Sequence, residues 1–205
     1  EQTDRFGHFG ANMSRNNSTI VTRTNPRAIN TLLYDQISDT DVRQQWFDPT
    51  GQHPDLNLPS AFSKFPYTHQ KFLAESETNS QMDVPYMRAA EMYLIEAEAR
   101  ARLNDPTAAD VLLSLVSTRD PSYVRSVNVG QALVDEILIH RRIELWGEGF
   151  RFLDLKRLNQ PLDRTGANHG NAQTGGVFQV PAGSEEWTYL IPQAEVDANP
   201  NINSN

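Results

Sequence analysis

Residues 139–158 read IHRRIELWGEGFRFLDLKRL, with charges of both signs interleaved among apolar residues across a glycine break. Just before the break, Val134, Ile137, Leu138 and Leu145 repeat at helical spacing along one face, and Arg141 falls on the same stripe. A guanidinium on an apolar face is costly unless a carboxylate meets it. Glu144 and Glu148 lie one and two turns further on. Gly147 and Gly149 suit a helix end that turns the chain into a second short helix carrying Arg151, Asp154 and Arg157. The stretch therefore reads as two helices joined at a glycine corner and held by ion pairs drawn from Arg141, Arg142, Glu144, Glu148, Arg151 and Asp154. In this reading Arg141 and Arg142 clamp the two helices together through Glu144, Glu148 or Asp154.

Helical periodicity continues upstream. Pro85 sits where a helix can begin, and Tyr86, Ala90, Tyr93, Ala97 and Ala101 repeat along one side, the alanines permitting close approach of a neighbour. Asn104, Asp105 and Pro106 break that helix. A second follows over residues 107–118 with Ala108, Leu112, Leu115 and Val116 inward, so the two form a hairpin. Tyr93, Ala97, Ala101 and the Asn-Asp-Pro turn are similar to a tetratricopeptide half-repeat, without a second copy at the ~34-residue period. A third helix is expected over residues 129–146 and a fourth over 150–158.

The flanks are less regular. Residues 1–30 hold no period and read as an extended loop, whereas Ile29, Leu32, Leu33 and Ile37 are spaced as on a helix. Residues 48–82 return to loop chemistry, with 64–67 and 70–73 as candidate short strands. In the glycine-rich tail, residues 177–180 and 187–192 are strand-like and are expected to pair with each other. The expected fold class is mostly all-α: a tetratricopeptide-like helical hairpin plus further helices, long irregular loops and a small β-hairpin. Residues 1–84 form the loop-rich part expected to contact ligand, 85–158 the helical core, and 159–205 the loop and tail.

The opening stretch resembles the signature of the SusD/RagB family, surface glycan-binding lipoproteins of Bacteroidetes, which reads like E-R-R-x-E-L-x-x-E-G-x-R-x-x-D-L-x-R. Two further landmarks occur in the family's order, YMRAAEMYLIEAEA at residues 86–99 and YLIPQAEVDANPN at 189–201. The segment DTDVRQQWF at 39–47 also resembles the family's short "D-x-R" helix ending in aromatics. His140 stands where the family usually has Glu. The resemblance implies a C-terminal portion of a protein roughly twice as long, with the lipid anchor upstream. It also implies a surface-exposed location at the outer membrane, where the protein is the lid of a SusC-like TonB-dependent transporter and captures a nutrient such as a glycan or oligosaccharide.

Composition narrows the alternatives. The formal charge of −8 and the absence of a Lys/Arg run argue against nucleic acid. With no cysteine there is no disulfide or thiolate site, and no apolar run approaches the ~20 residues of a membrane span. The five histidines, His8, His53, His69, His140 and His169, show no metal-ligand spacing, and no nucleophile or phosphate motif is present. No cofactor and no catalytic residue is assigned. Glu96 and Glu98 point apart on a helix, and the arginines near Glu144 and Glu148 favour the anion over a protonated acid. Sugar recognition asks for aromatic faces beside amides and charges on loops. The first 50 residues supply that mixture around Phe6, His8 and Phe9, and the carbohydrate-contacting residues are expected to be Phe9, Asn12, Arg15 and Trp46. A helical-repeat interaction module binding a peptide or protein is the alternative from another class.

Overall fold

The computed structural model describes residues 8–170 and 175–199. Phe6 and the Pro200-Asn201 end of the last motif lie outside the described residues. The chain divides into two compact units, Glu1–Phe150 and Arg151–Asn205.

The first unit is built on three long helices, introduced by three short ones: α1 (Phe9–Met13), α2 (Ile20–Thr24) and α3 (Thr31–Tyr34). The long helices are α4 (Ala89–Arg102), α5 (Ala108–Val116) and α6 (Gly130–Glu144). Ala90, Leu94, Ala97 and Ala101 make one buried stripe on α4, against Leu112, Leu115 and Val116 of α5 and Leu133, Val134 and Ile137 of α6. Each fully buried aliphatic side chain here contributes about 1.5–3 kcal/mol relative to exposure. The hairpin turn closes because Asn104 adopts a left-handed conformation (φ 57°) and Asp105 accepts the Thr107 amide at 2.8 Å.

The far end of α6 serves a second core. Ile143 is buried there with Ile29, Leu33, Ile37 and Phe47, while Trp46 and Trp146 pack at its edge. Strand β1 (Phe47–Asp48) pairs antiparallel with β2 (Thr68–His69), and Trp46 closes the 3₁₀ helix Val42–Trp46 just before β1. The mostly helical expectation holds, with departures at the edges. The first long helix begins at Ala89, not at residue 85, because Arg88 is extended (φ −124°, ψ 141°) to send its side chain to two glutamates. Tyr86 and Met87 are left exposed. The loop expected over residues 1–30 contains α1 and α2, each started by its own cap, His8 Nδ1 to the Gly10 amide and Thr19 Oγ1 to the Thr22 amide.

The second unit contains most of α7 (Phe150–Arg157), the pair β3 (Leu162–Asp163) and β4 (Gln179–Val180), and α8 (Gln193–Ala198). The expected pairing of 177–180 with 187–192 is corrected: β4 pairs with β3. Trp187 instead lies in a 3₁₀ turn, where its indole donates to the Pro181 carbonyl at 2.7 Å and its ring packs 5.6 Å from Phe152. Burying that indole with its N–H satisfied takes precedence over extending a two-residue ladder.

Candidate functional site

The C-terminal end of α6 organises the charged residues of the first unit. Glu144, its last residue, is 0% exposed. Its Oε1 accepts from Arg88 at 2.8 Å and from Arg119 at 3.2 Å, and its Oε2 accepts from Arg43 and Arg119, each at 3.2 Å. Burial alone would raise this carboxyl, but the hydrogen bonds from Arg119 and Arg88 and the field of Arg43 hold it at about 2. Arg43, also buried, is shared with Asp41 at 2.6 Å. Helix ends leave carbonyls unpaired, and here cations take them: Lys71 Nζ donates to the carbonyls of Glu144 (2.8 Å) and Trp146 (2.9 Å), and Arg88 Nη2 to that of Glu144 (2.7 Å). Glu148 then receives Lys71 at 2.6 Å and Arg88 at 2.7 and 3.0 Å.

This assembly forms one wall of an open cleft of about 490 Å³. Trp46, Phe72, Leu73, Met82 and Pro85 supply its apolar surface, and Gln70, Lys71, Asp83, Arg88 and Glu148 its polar surface. Lys71 Nζ stands 4.7 Å over the Trp46 ring and 5.1 Å from that of Phe72. Burial pushes the Lys71 ammonium down to about 8, and Glu148 opposes that fall. Phe72 is held from behind by Gly147, whose φ of +79° and lack of a Cβ are both required. A Cβ there would lie 2.7 Å from the Phe72 ring and 3.0 Å from the Met13 methyl. A second cavity of about 310 Å³ lies at the α4–α5 turn beside Asn104, Arg125 and Asn128, with no aromatic ring in its lining. No cluster of metal-ligating side chains occurs among the described residues.

The four expected sugar contacts do not converge on one surface. Trp46 lines the cleft. Phe9 meets Phe72 edge-on at 5.1 Å, behind the cleft wall. Asn12 donates to the His8 carbonyl at 3.0 Å, within its own turn. Arg15 is 1% exposed, with Nη2 on the Ser63 carbonyl at 2.7 Å and the guanidinium 5.9 Å from the Phe62 ring, so it ties the loop down and does not face solvent. Of the expected ion-pair residues, Glu144 and Glu148 pair with Arg43, Lys71, Arg88 and Arg119, all distant in sequence. Arg141 lies 3.8 Å from Glu91 on α4 and 5.1 Å from the Phe150 ring. Arg142 is half-buried on α6, Arg151 is exposed, and Asp154 pairs with Arg157 at 2.8 Å inside α7. A hub at the end of α6 thus gathers residues 43, 71, 88 and 119 onto Glu144 and Glu148, all four of them outside the expected ion-pair set. Lys71, Phe72, Asp83 and Arg88 escaped the sequence reading. The stretch around residue 71 has no period, and Arg88 gives no local sign that its partners lie 56 and 60 residues away.

The SusD family pattern matches residues 11–205. The chain belongs to the SusD family. Its backbone is similar to that of a SusD-like carbohydrate binding protein from Bacteroides vulgatus, at a TM-score of 0.70 and 22% identity. That match covers 95% of this chain and 44% of that one. A SusD superfamily protein from Bacteroides thetaiotaomicron gives a TM-score of 0.67 at 25% identity over 85% of this chain and 39% of that one. In sequence, the SusD-like protein P38 of Formosa agariphila is 37% identical over 95 residues, which is 42% of this chain and 19% of that protein. This SusD-family chain therefore spans less than half the length of these relatives. No helix among its described residues is long and apolar enough to cross a membrane.

Proposed function

We propose that this chain is the part of a SusD-family surface lipoprotein that holds a glycan in the cleft beside Trp46, without bond chemistry. The reading also has the protein act at the outer membrane as the lid of a SusC-like TonB-dependent transporter. The observation that carries it is the cleft itself: a half-buried indole, backed by the buried Phe72 ring, set beside an amide and a carboxylate, the pairing that stacks on a sugar ring and bonds its hydroxyls. Phe9 takes part through Phe72, which it braces, and Arg15 and Asn12 by fixing the loop that carries them. Stacking and neutral hydrogen bonds give modest net energy against water, so a dissociation constant of about 10⁻³ to 10⁻⁶ M is expected.

A second reading, docking of a peptide, is favoured by the outer face of α4, where Met92, Ile95 and Leu103 are exposed opposite the buried stripe. Titration of the intact protein with oligosaccharides and with amphipathic peptides, followed by tryptophan fluorescence and calorimetry, separates the two. Saturable oligosaccharide binding that Trp46→Ala weakens at least tenfold supports the glycan site. Binding of peptides alone, lost in Ile95→Glu, supports the second reading and overturns the first.

A further inference from the structure

We infer that the cleft beside Trp46 takes uncharged sugars and rejects glycans bearing carboxylate or sulfate groups, an inference that rests on the glycan-binding reading above. To capture an acidic sugar a site needs a cation whose charge and N–H groups are not already engaged. Two cations line this cleft, Lys71 with every N–H engaged and Arg88 with four of its five N–H groups engaged and its charge met by two carboxylates. The three N–H groups of Lys71 have three acceptors, the carbonyls of Glu144 and Trp146 and the Glu148 carboxylate, at 2.8, 2.9 and 2.6 Å. Arg88 places Nε on Glu148 (3.0 Å), Nη1 on Glu144 (2.8 Å) and Nη2 on both the Glu144 carbonyl and Glu148 (each 2.7 Å). Arg43 and Arg119, one layer behind, are engaged by the same Glu144.

Asp83 differs from its neighbours. It lines the cleft, is exposed, and has no hydrogen-bond or ion-pair partner among the described residues. An incoming carboxylate or sulfate therefore meets a like charge and no disengaged cation, and must shed its water without replacement. A neutral sugar meets an aromatic surface and a carboxylate that accepts its hydroxyls in charge-assisted hydrogen bonds. Discrimination arises here as much from repulsion of the wrong ligand as from attraction of the right one.

The test is calorimetric titration of the intact protein with matched pairs that differ only in charge: oligogalacturonides against their carboxyl-reduced counterparts, and sulfated galactan oligomers against desulfated ones. The same titrations are repeated on Asp83→Lys, a substitution at an exposed side chain that removes no hydrogen bond or ion pair among the described residues. The neutral member should bind at least tenfold tighter, about 1.4 kcal/mol. Asp83→Lys should cancel or reverse the preference. Equal or tighter binding of the acidic member overturns the inference and leaves the glycan-binding reading standing. A preference unchanged in Asp83→Lys overturns it too, because the charge then acts elsewhere. If no member of any pair binds, the glycan reading falls and the inference with it.

Discussion

Glu144→Gln keeps the shape of the hub residue and removes its charge, so it tests whether the cluster at the end of α6 holds the first unit together. In the native chain one buried carboxylate is shared by Arg43, Arg88 and Arg119. The stabilisation follows from its acidity: a carboxyl at about 2 in the fold and at 4.5 ordinarily favours the folded state by about 3 kcal/mol at neutral pH, at 1.36 kcal/mol per decade. Removing one member of a buried pair costs ~3–5 kcal/mol elsewhere, which agrees. Urea unfolding at pH 7, followed by far-ultraviolet circular dichroism, should show a loss of about 3–4 kcal/mol, or ~1.5–2 M in midpoint for a slope of about 2 kcal/mol/M. The sign of the pH dependence is fixed as well. Because the folded-state pKa is depressed, the stabilisation is complete above about 4.5 and is lost as pH falls toward about 2, so the gap between wild type and variant should close over that window. A gap below about 1 kcal/mol at pH 7, the value of an exposed pair, would refute the reasoning. So would a gap that stays constant down to pH 2.

Gly147→Ala should cost about 1–3 kcal/mol, through a left-handed φ of +79° and a Cβ 2.7 Å from the Phe72 ring, and should weaken ligand binding by displacing that ring. An unchanged melting temperature contradicts it. His69 and His140 are held neutral by burial, at about 3 and about 4. The unfolded chain takes up these protons near 6.5, so each should cost about 2–3 kcal/mol of stability between pH 6.5 and 4.5. Equal urea midpoints at pH 7 and 4.5 would show that neither is held neutral. The Lys71 ammonium, at about 8 and 4.7 Å from the Trp46 ring, should give tryptophan fluorescence a transition centred near pH 8 that is missing in Lys71→Gln. A flat profile from pH 7 to 9.5 removes the cation from the indole.

The three long helices were legible because their alanine, leucine and valine stripes repeat at 3.6 residues over two turns or more, and the glycine corner because Gly147 and Gly149 follow a charged helix end. Boundaries slipped where tertiary bonds outweigh local preference, as at Arg88, whose backbone is extended to reach Glu144 and Glu148. The short helices α1 and α2 run five residues each, too few to display a period. The strand pairing of the tail was set by where Trp187 finds cover, which alternation does not encode. Within the candidate site, Trp46 stood out as an aromatic ending an amphipathic segment. Lys71 and Asp83 did not, since a lone charge in an aperiodic loop gains meaning only when the fold brings it beside the ring. Arg15 looked like a loop contact by composition, yet the loop folds over it and buries the guanidinium beneath Ser63 and Phe62.

The central claim is that the cleft bounded by Trp46, Phe72 and the Lys71–Arg88–Glu148 cluster holds a sugar. A crystal structure of the intact protein with a bound neutral oligosaccharide tests it most directly. The account predicts a pyranose ring packed against Trp46 with a hydroxyl within hydrogen-bond distance of the Asp83 carboxylate. An oligosaccharide seated away from that cleft, against the Asn104–Arg125 cavity or the outer face of α4, would contradict it.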